Sequence, residues 1–103
     1  MLTYQPPYYA VIFTSIRKDN EEGYNEMSEL MDTLAKQQEG FLDMESARNE
    51  LGITVSYWTT LEAIAKWKMN LDHLEAQRKG ISTWYQSYKV RICKVEREYH
   101  FNK

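Results

Sequence analysis

The sequence predicts an α+β domain of the ferredoxin-like kind, β-α-β-β-α-β, with a four-stranded antiparallel sheet and both helices on one face. Three observations lead there. Four runs rich in β-branched and aromatic residues are interrupted by two segments of helical spacing. The second and third runs are separated only by the short turn Glu50-Leu51-Gly52, a hairpin signal. The first run is apolar on both faces, although two helices can cover only one side of such a sheet.

Each element has its own signature. Pro6-Pro7 imposes an extended entry, because a residue before proline avoids the helical region. Tyr8 to Arg17 then reads as a strand, with Tyr9, Val11 and Phe13 on one face and Tyr8, Ala10, Ile12 and Ile16 on the other. After a charged connection, Gly23 to Gln38 places Met27, Leu30, Met31 and Leu34 on one helical stripe, and Gly40 suits the left-handed cap that ends it. Phe41 to Asn49 and Ile53 to Trp58 form the hairpin strands. Thr59 with Glu62 makes a capping box for a second helix, whose apolar face carries Ile64, Trp67, Leu71 and Leu74 up to Gly80. Tyr85 to Phe101 is a long last strand containing Val90, Ile92 and Val95.

The totals bound the function. A chain of 103 residues forms a single domain with one core, here spanning about 8–101. Thirteen Lys and Arg interspersed with fifteen Asp and Glu provide no basic face, which argues against nucleic acid. No apolar run is long enough for a bilayer, and the first residues lack a signal-peptide pattern, so the expected setting is cytoplasmic with no membrane partner. The single Cys93 excludes an internal disulfide and a cysteine metal cluster; a buried, inert thiol is expected. Glycine-rich phosphate loops and dinucleotide fingerprints are absent, so no cofactor is expected; any redox chemistry would use oxygen and substrate alone, or a loosely bound cofactor.

Chemistry-bearing residues concentrate between Tyr57 and Tyr88, which holds all three tryptophans, at 58, 67 and 84. Such side chains can wall a pocket for a flat ligand, fill a core or line an interface. The segments Gly40-Phe-Leu-Asp-Met-Glu-Ser-Ala-Arg48, Ser56-Tyr-Trp58, Ala63-Ile-Ala-Lys-Trp67, His73 followed by Ala76, and Trp84-Tyr85 resemble the antibiotic biosynthesis monooxygenase domain over roughly Tyr8 to Phe101. That resemblance implies a dimeric α+β barrel, with a pocket between sheet and helices in each subunit. It also implies cofactor-independent oxygenation of a small phenolic or quinol-type aromatic molecule. A non-catalytic or stress-related binding protein of the same fold is the alternative. The haem-degrading branch is disfavoured, because Gln77 stands where a histidine would bind iron and the first strand contains no asparagine.

Within that frame Trp67, Trp58, Tyr57 and Phe13 are the candidate substrate contacts, and His73 the candidate proton acceptor. His73 faces solvent if the second helix is continuous, and can turn inward only if Asn70 breaks the helix and caps a new segment. Tyr57 and Trp58 must point to opposite faces of their strand. Trp84, Tyr85 and Tyr88 fit the barrel rim or interface better than the pocket. Among the charges Glu45, Arg48, Arg91 and Arg97, an arginine could steady an enolate, but the sequence selects none. The two-faced first strand predicts a homodimer. Sedimentation at micromolar concentration should therefore give twice the chain mass; a monomer would contradict this reading.

Overall fold

A computed structural model of the chain describes residues 4–18, 24–78 and 85–103, with side chains in the second helix described as far as Leu74. Six elements follow the predicted order: β1 Tyr8–Arg17, α1 Tyr24–Lys36, β2 Phe41–Arg48, β3 Gly52–Trp58, α2 Leu61–Arg78 and β4 Tyr85–Val95. The strands pair antiparallel in the order β2-β3-β1-β4. Directly paired residues share a face. One face thus carries Tyr9, Val11, Phe13 and Ser15 with Ser56, Trp58, Tyr88, Val90 and Ile92; the other carries Tyr8, Ala10 and Ile12 with Val55, Tyr57 and Cys93.

The first face receives the helices. Trp58 has no solvent exposure and packs with Ala35 of α1 and Ala63, Ile64 and Trp67 of α2; Tyr9, Val11, Phe41 and Leu71 close around this group. The Trp58 and Trp67 rings stack with centroids 6.1 Å apart, and Phe41 meets Trp58 edge-on at 5.5 Å. The one polar atom of the buried indole, Nε1–H, donates to Ser56 Oγ at 2.8 Å, so no donor is stranded. A smaller cluster of Met27 and Leu74 joins the two helices.

Several boundaries differ from the expectation, each for a local reason. Gly40 does not cap α1, which ends at Lys36 and tightens through bonds from Gln37 N–H to Leu34 O and from Gln38 N–H to Ala35 O. Gly40 instead turns the chain into β2 at a φ of 88°, and its carbonyl accepts from Thr59 N–H at 2.8 Å. The cap of α2 is Thr60, whose Oγ1 accepts from Ala63 N–H at 3.0 Å; Ala63 cannot return the bond, so the Thr59–Glu62 capping box is not formed. Asn70 does not break α2: its Nδ2 donates to the carbonyl of Lys66 one turn back and, at 2.9 Å, to Oε1 of Gln38 in the turn after α1. β4 stops at Val95, which pairs with Tyr8 at the start of β1, so later residues have no partner strand. Gly23, Gly80 and Trp84, to which the sequence reading assigned roles, lie outside the described residues.

Gly40 has no room for a side chain, since a Cβ there would lie 2.6 Å from Ala63 Cβ and 2.8 Å from Thr59 Oγ1. Gly40→Ala combines that clash with a positive φ, and should cost about 1–3 kcal/mol. Trp58→Ala should cost about 3–5 kcal/mol by emptying the core. Urea denaturation midpoints check both; unchanged midpoints would contradict the packing described.

Candidate functional site

The five residues singled out from the sequence do not form one site. Trp58 and Trp67 come together, but as the filled centre of the core rather than as walls of a cavity. Tyr57 lies on the opposite face of the sheet, where its hydroxyl donates to Glu45 Oε1 at 2.6 Å and its ring meets Tyr8 edge-on. His73 sits exposed on an unbroken α2. It borders a shallow depression of about 180 Å³ with Leu34, Gln38, Asn70 and Leu74, none of them a predicted ligand contact. That volume is below the few hundred Å³ usual for an organic ligand. The inward turn of His73 required a helix break at Asn70, and the Asn70 bonds to Lys66 and Gln38 replace it.

Phe13 leads elsewhere. On the helix-bearing face its ring lies 5.4 Å from those of both Tyr85 and Tyr88. Tyr85 in turn meets Tyr24 of α1 edge-on at 6.2 Å and Tyr88 at the same distance. In a regular strand residues 85 and 88 would face opposite ways. A register shift between Ile16 and Arg17, where Tyr88 pairs with Ser15 but Tyr85 with Arg17, brings both to one side. Beyond this wall the helices do not close over β4: Tyr88, Val90 and Ile92 on the same face are 52%, 46% and 55% exposed. The aromatic and aliphatic surface left partly open over β1 and β4, beside the tryptophan core, is the candidate cleft.

Charge enters the cleft from two arginines. Arg48 of β2 reaches across Gly52 to donate from Nη2 to the Oγ of Ser15, which is buried in β1. The absence of a side chain at Gly52 permits this path, as a Cβ there would overlap the guanidinium. Arg17 closes β1 on the same face and lies over the Tyr24 ring, 3.6 Å from its centroid. Burial and a hydrogen bond to Tyr24 raise the Tyr85 phenol well above its ordinary value, while Arg48 and Arg17 are near enough to pull it partly back. The cleft thus sets the neutral Tyr85 phenol near two positive groups.

At one end of the open face, Tyr8 meets Tyr4 and Tyr57 edge to face, and the Tyr4 hydroxyl donates to Leu42 O at 2.7 Å. Burial and the Glu45 carboxylate hold the Tyr57 phenol well up. Cys93 is exposed on this face, correcting the expectation of a buried thiol: its register partner Ala10 lies on a side that no helix covers. Among the described residues no group of three or more His, Cys, Asp or Glu side chains is placed to hold a metal ion, and no helix is long and apolar enough to cross a membrane.

Comparison with known proteins agrees with this architecture. The fold is that of the antibiotic biosynthesis monooxygenase proteins. A candidate enzyme of that kind from Nitrosomonas europaea superposes with a TM-score of 0.71 at 16% identity, covering 89% of this chain and 93% of its own. SnoaB, a cofactor-independent oxygenase from Streptomyces nogalater, in its N63A form also gives 0.71, at 11% identity over 90% of this chain and 97% of its own. The chain belongs to the family of the uncharacterized protein YqjZ of Bacillus subtilis strain 168, to which it is 48% identical over 103 residues, 98% of this chain and 90% of the relative. No family model matches the sequence.

The sequence reading missed Arg17, Tyr24 and Ser15, and it assigned Tyr85 and Tyr88 to the rim. A raised phenol stabilises the fold fully below its unfolded value, and that contribution is lost as pH climbs past 10.0 toward the higher folded value. Folding stability should therefore fall above about pH 10, and part of the tyrosinate absorbance should appear late in an alkaline titration. Tyr57→Phe and Tyr85→Phe should each remove a share of the late component; eight phenols titrating together would contradict the assignment.

Proposed function

We propose that the chain is a cofactor-independent oxygenase for a small phenolic or quinol-type aromatic molecule, held in the cleft over β1 and β4. The observation that carries this reading is the Phe13–Tyr85–Tyr88 wall standing beside Arg48 on a face the helices leave partly open. The rings and the exposed Val90 and Ile92 offer apolar contact to a planar ligand. The similarity in fold to SnoaB supports the reaction type.

The chemistry asks for one thing from the protein. An ionised phenol, hydroquinone or anthrone is electron-rich enough to react with dioxygen directly; a ring CH ortho or para to the oxyanion, or the CH₂ of an anthrone, becomes C=O, the two hydrogens that the substrate loses leave with the second oxygen atom as water, and dioxygen is the oxidant. Ionisation is the step to be made easier. A guanidinium beside the substrate oxygen stabilises the anion, which lowers the substrate's pKa in place. Arg48, anchored by Ser15 and adjacent to the aromatic wall, is the group we assign to this role. The proposed base moves away from His73 on geometric grounds, since stabilising the anion lets water or hydroxide take the proton. Tyr85, held neutral, can donate to the same oxygen once Tyr24 releases it.

A second copy of the chain is proposed to cover the open face, where Ile16 and Ile53 are 42% and 41% exposed beside half-buried Ile12 and Val55. The alternative function is a binding protein that holds the aromatic ligand without turnover. Oxygen uptake separates the two. Incubation with a panel of hydroquinones and anthrones should consume oxygen faster than buffer alone, and Arg48→Gln should lower kcat/KM by about tenfold or more. Uptake equal to buffer, with ligand still bound, would establish the binding reading instead.

A further inference from the structure

We propose that Arg17 anchors a carboxylate carried by the aromatic ligand, so that the molecules this cleft takes are aromatic acids. The proposal rests on the cleft described above and adds a specificity to it. The Arg17 guanidinium uses one flat face against the Tyr24 ring, 3.6 Å from the centroid. Stacking of this kind leaves the edges of the group free for hydrogen bonds. Nε–H and an Nη2–H lie side by side along one edge, and both atoms are buried with no hydrogen-bond partner. Two parallel donors at that spacing match the two oxygens of a carboxylate.

An arginine remains charged at any ordinary pH, so empty buried donors are costly until an anion meets them. The described residues provide none. Their ion pairs are Lys68 with Asp72 and His100 with Glu98, neither at Arg17. Arg17 lies over the Tyr24 ring and acts on Tyr85, which burial keeps in its neutral form. Arg48 acts electrostatically on the same tyrosine and adds a second positive charge that has no carboxylate partner among the described residues. The surrounding Phe13, Tyr24 and Tyr85 rings favour a carboxylate conjugated to an aromatic ring over a small hydrated ion.

Calorimetric titration with 2,5-dihydroxybenzoate and with hydroquinone tests the idea, since the two probes differ only by the carboxylate. The acid should bind at least tenfold more tightly, and Arg17→Gln should erase most of that advantage. Should that variant fail to fold, Arg17→Lys keeps the charge but loses the paired donors, and the preference should still fall several-fold. Equal affinity for the two probes, as expected if a carboxylate of the chain already occupies the edge, would overturn the proposal; so would a preference that survives both substitutions. Oxygen uptake read in parallel keeps the two ideas apart. Uptake with hydroquinone but no preference for the acid removes the anchor and leaves the oxygenase. An Arg17-dependent preference without uptake removes the oxygenase and leaves the anchor.

Discussion

Trp58 is the residue on which the arrangement of the whole domain turns. It ends β3, is sealed from solvent, stacks on Trp67 of α2, touches Ala35 of α1 and meets Phe41 at the start of β2. A single large ring thereby fixes both helices against the β2–β3–β1 part of the sheet. Its indole N–H is satisfied within its own strand by Ser56, so the contact carries no buried polar cost. Because the helices are drawn to that side, β4 receives no comparable cover, and Tyr88, Val90 and Ile92 remain exposed. Core and cleft are two consequences of one placement.

The same geometry explains how charge reaches an otherwise apolar face. Gly52 leaves a gap in β3 through which Arg48 crosses from the edge strand to Ser15. The irregular pairing at Ile16 and Arg17 sets Tyr85 beside Tyr88 and brings Arg17 over Tyr24. Neither arginine is matched by a carboxylate among the described residues, and burial keeps the Tyr85 phenol near them protonated. A site with two positive groups, aromatic walls and no counter-ion among the described residues is suited to stabilising a negative charge on a bound molecule. In this respect the electrostatics say more about function than any one side chain does.

Much of the fold was legible in the sequence because it rests on periodicity. The β-α-β-β-α-β order, the two helical stripes and the opposed directions of Tyr57 and Trp58 follow from alternation and 3.6-residue spacing. The site was legible only in pieces. Trp67 on an apolar helical stripe reads the same whether it fills a core or walls a pocket, and its partner Trp58 decides the matter in three dimensions. His73 depended on whether Asn70 caps or bonds backward, a choice set by Gln38 in the turn that follows the other helix. Tyr85 and Tyr88 could not be placed on one face without the shifted register, and Arg48 could not be placed near Ser15 without knowing that Gly52 lies between them. Spacing reports which face a residue occupies; it does not report what stands opposite.

The central claim is that ligands enter the cleft over β1 and β4 and leave the tryptophan core untouched. Backbone and side-chain NMR shifts during titration with 2,5-dihydroxybenzoate test it most directly. The account predicts shifts concentrated at Phe13, Arg17, Tyr85, Tyr88, Val90 and Ile92, with the indole signals of Trp58 and Trp67 and the ring of His73 unmoved. Shifts centred on Trp67 and His73, with β4 silent, would contradict it.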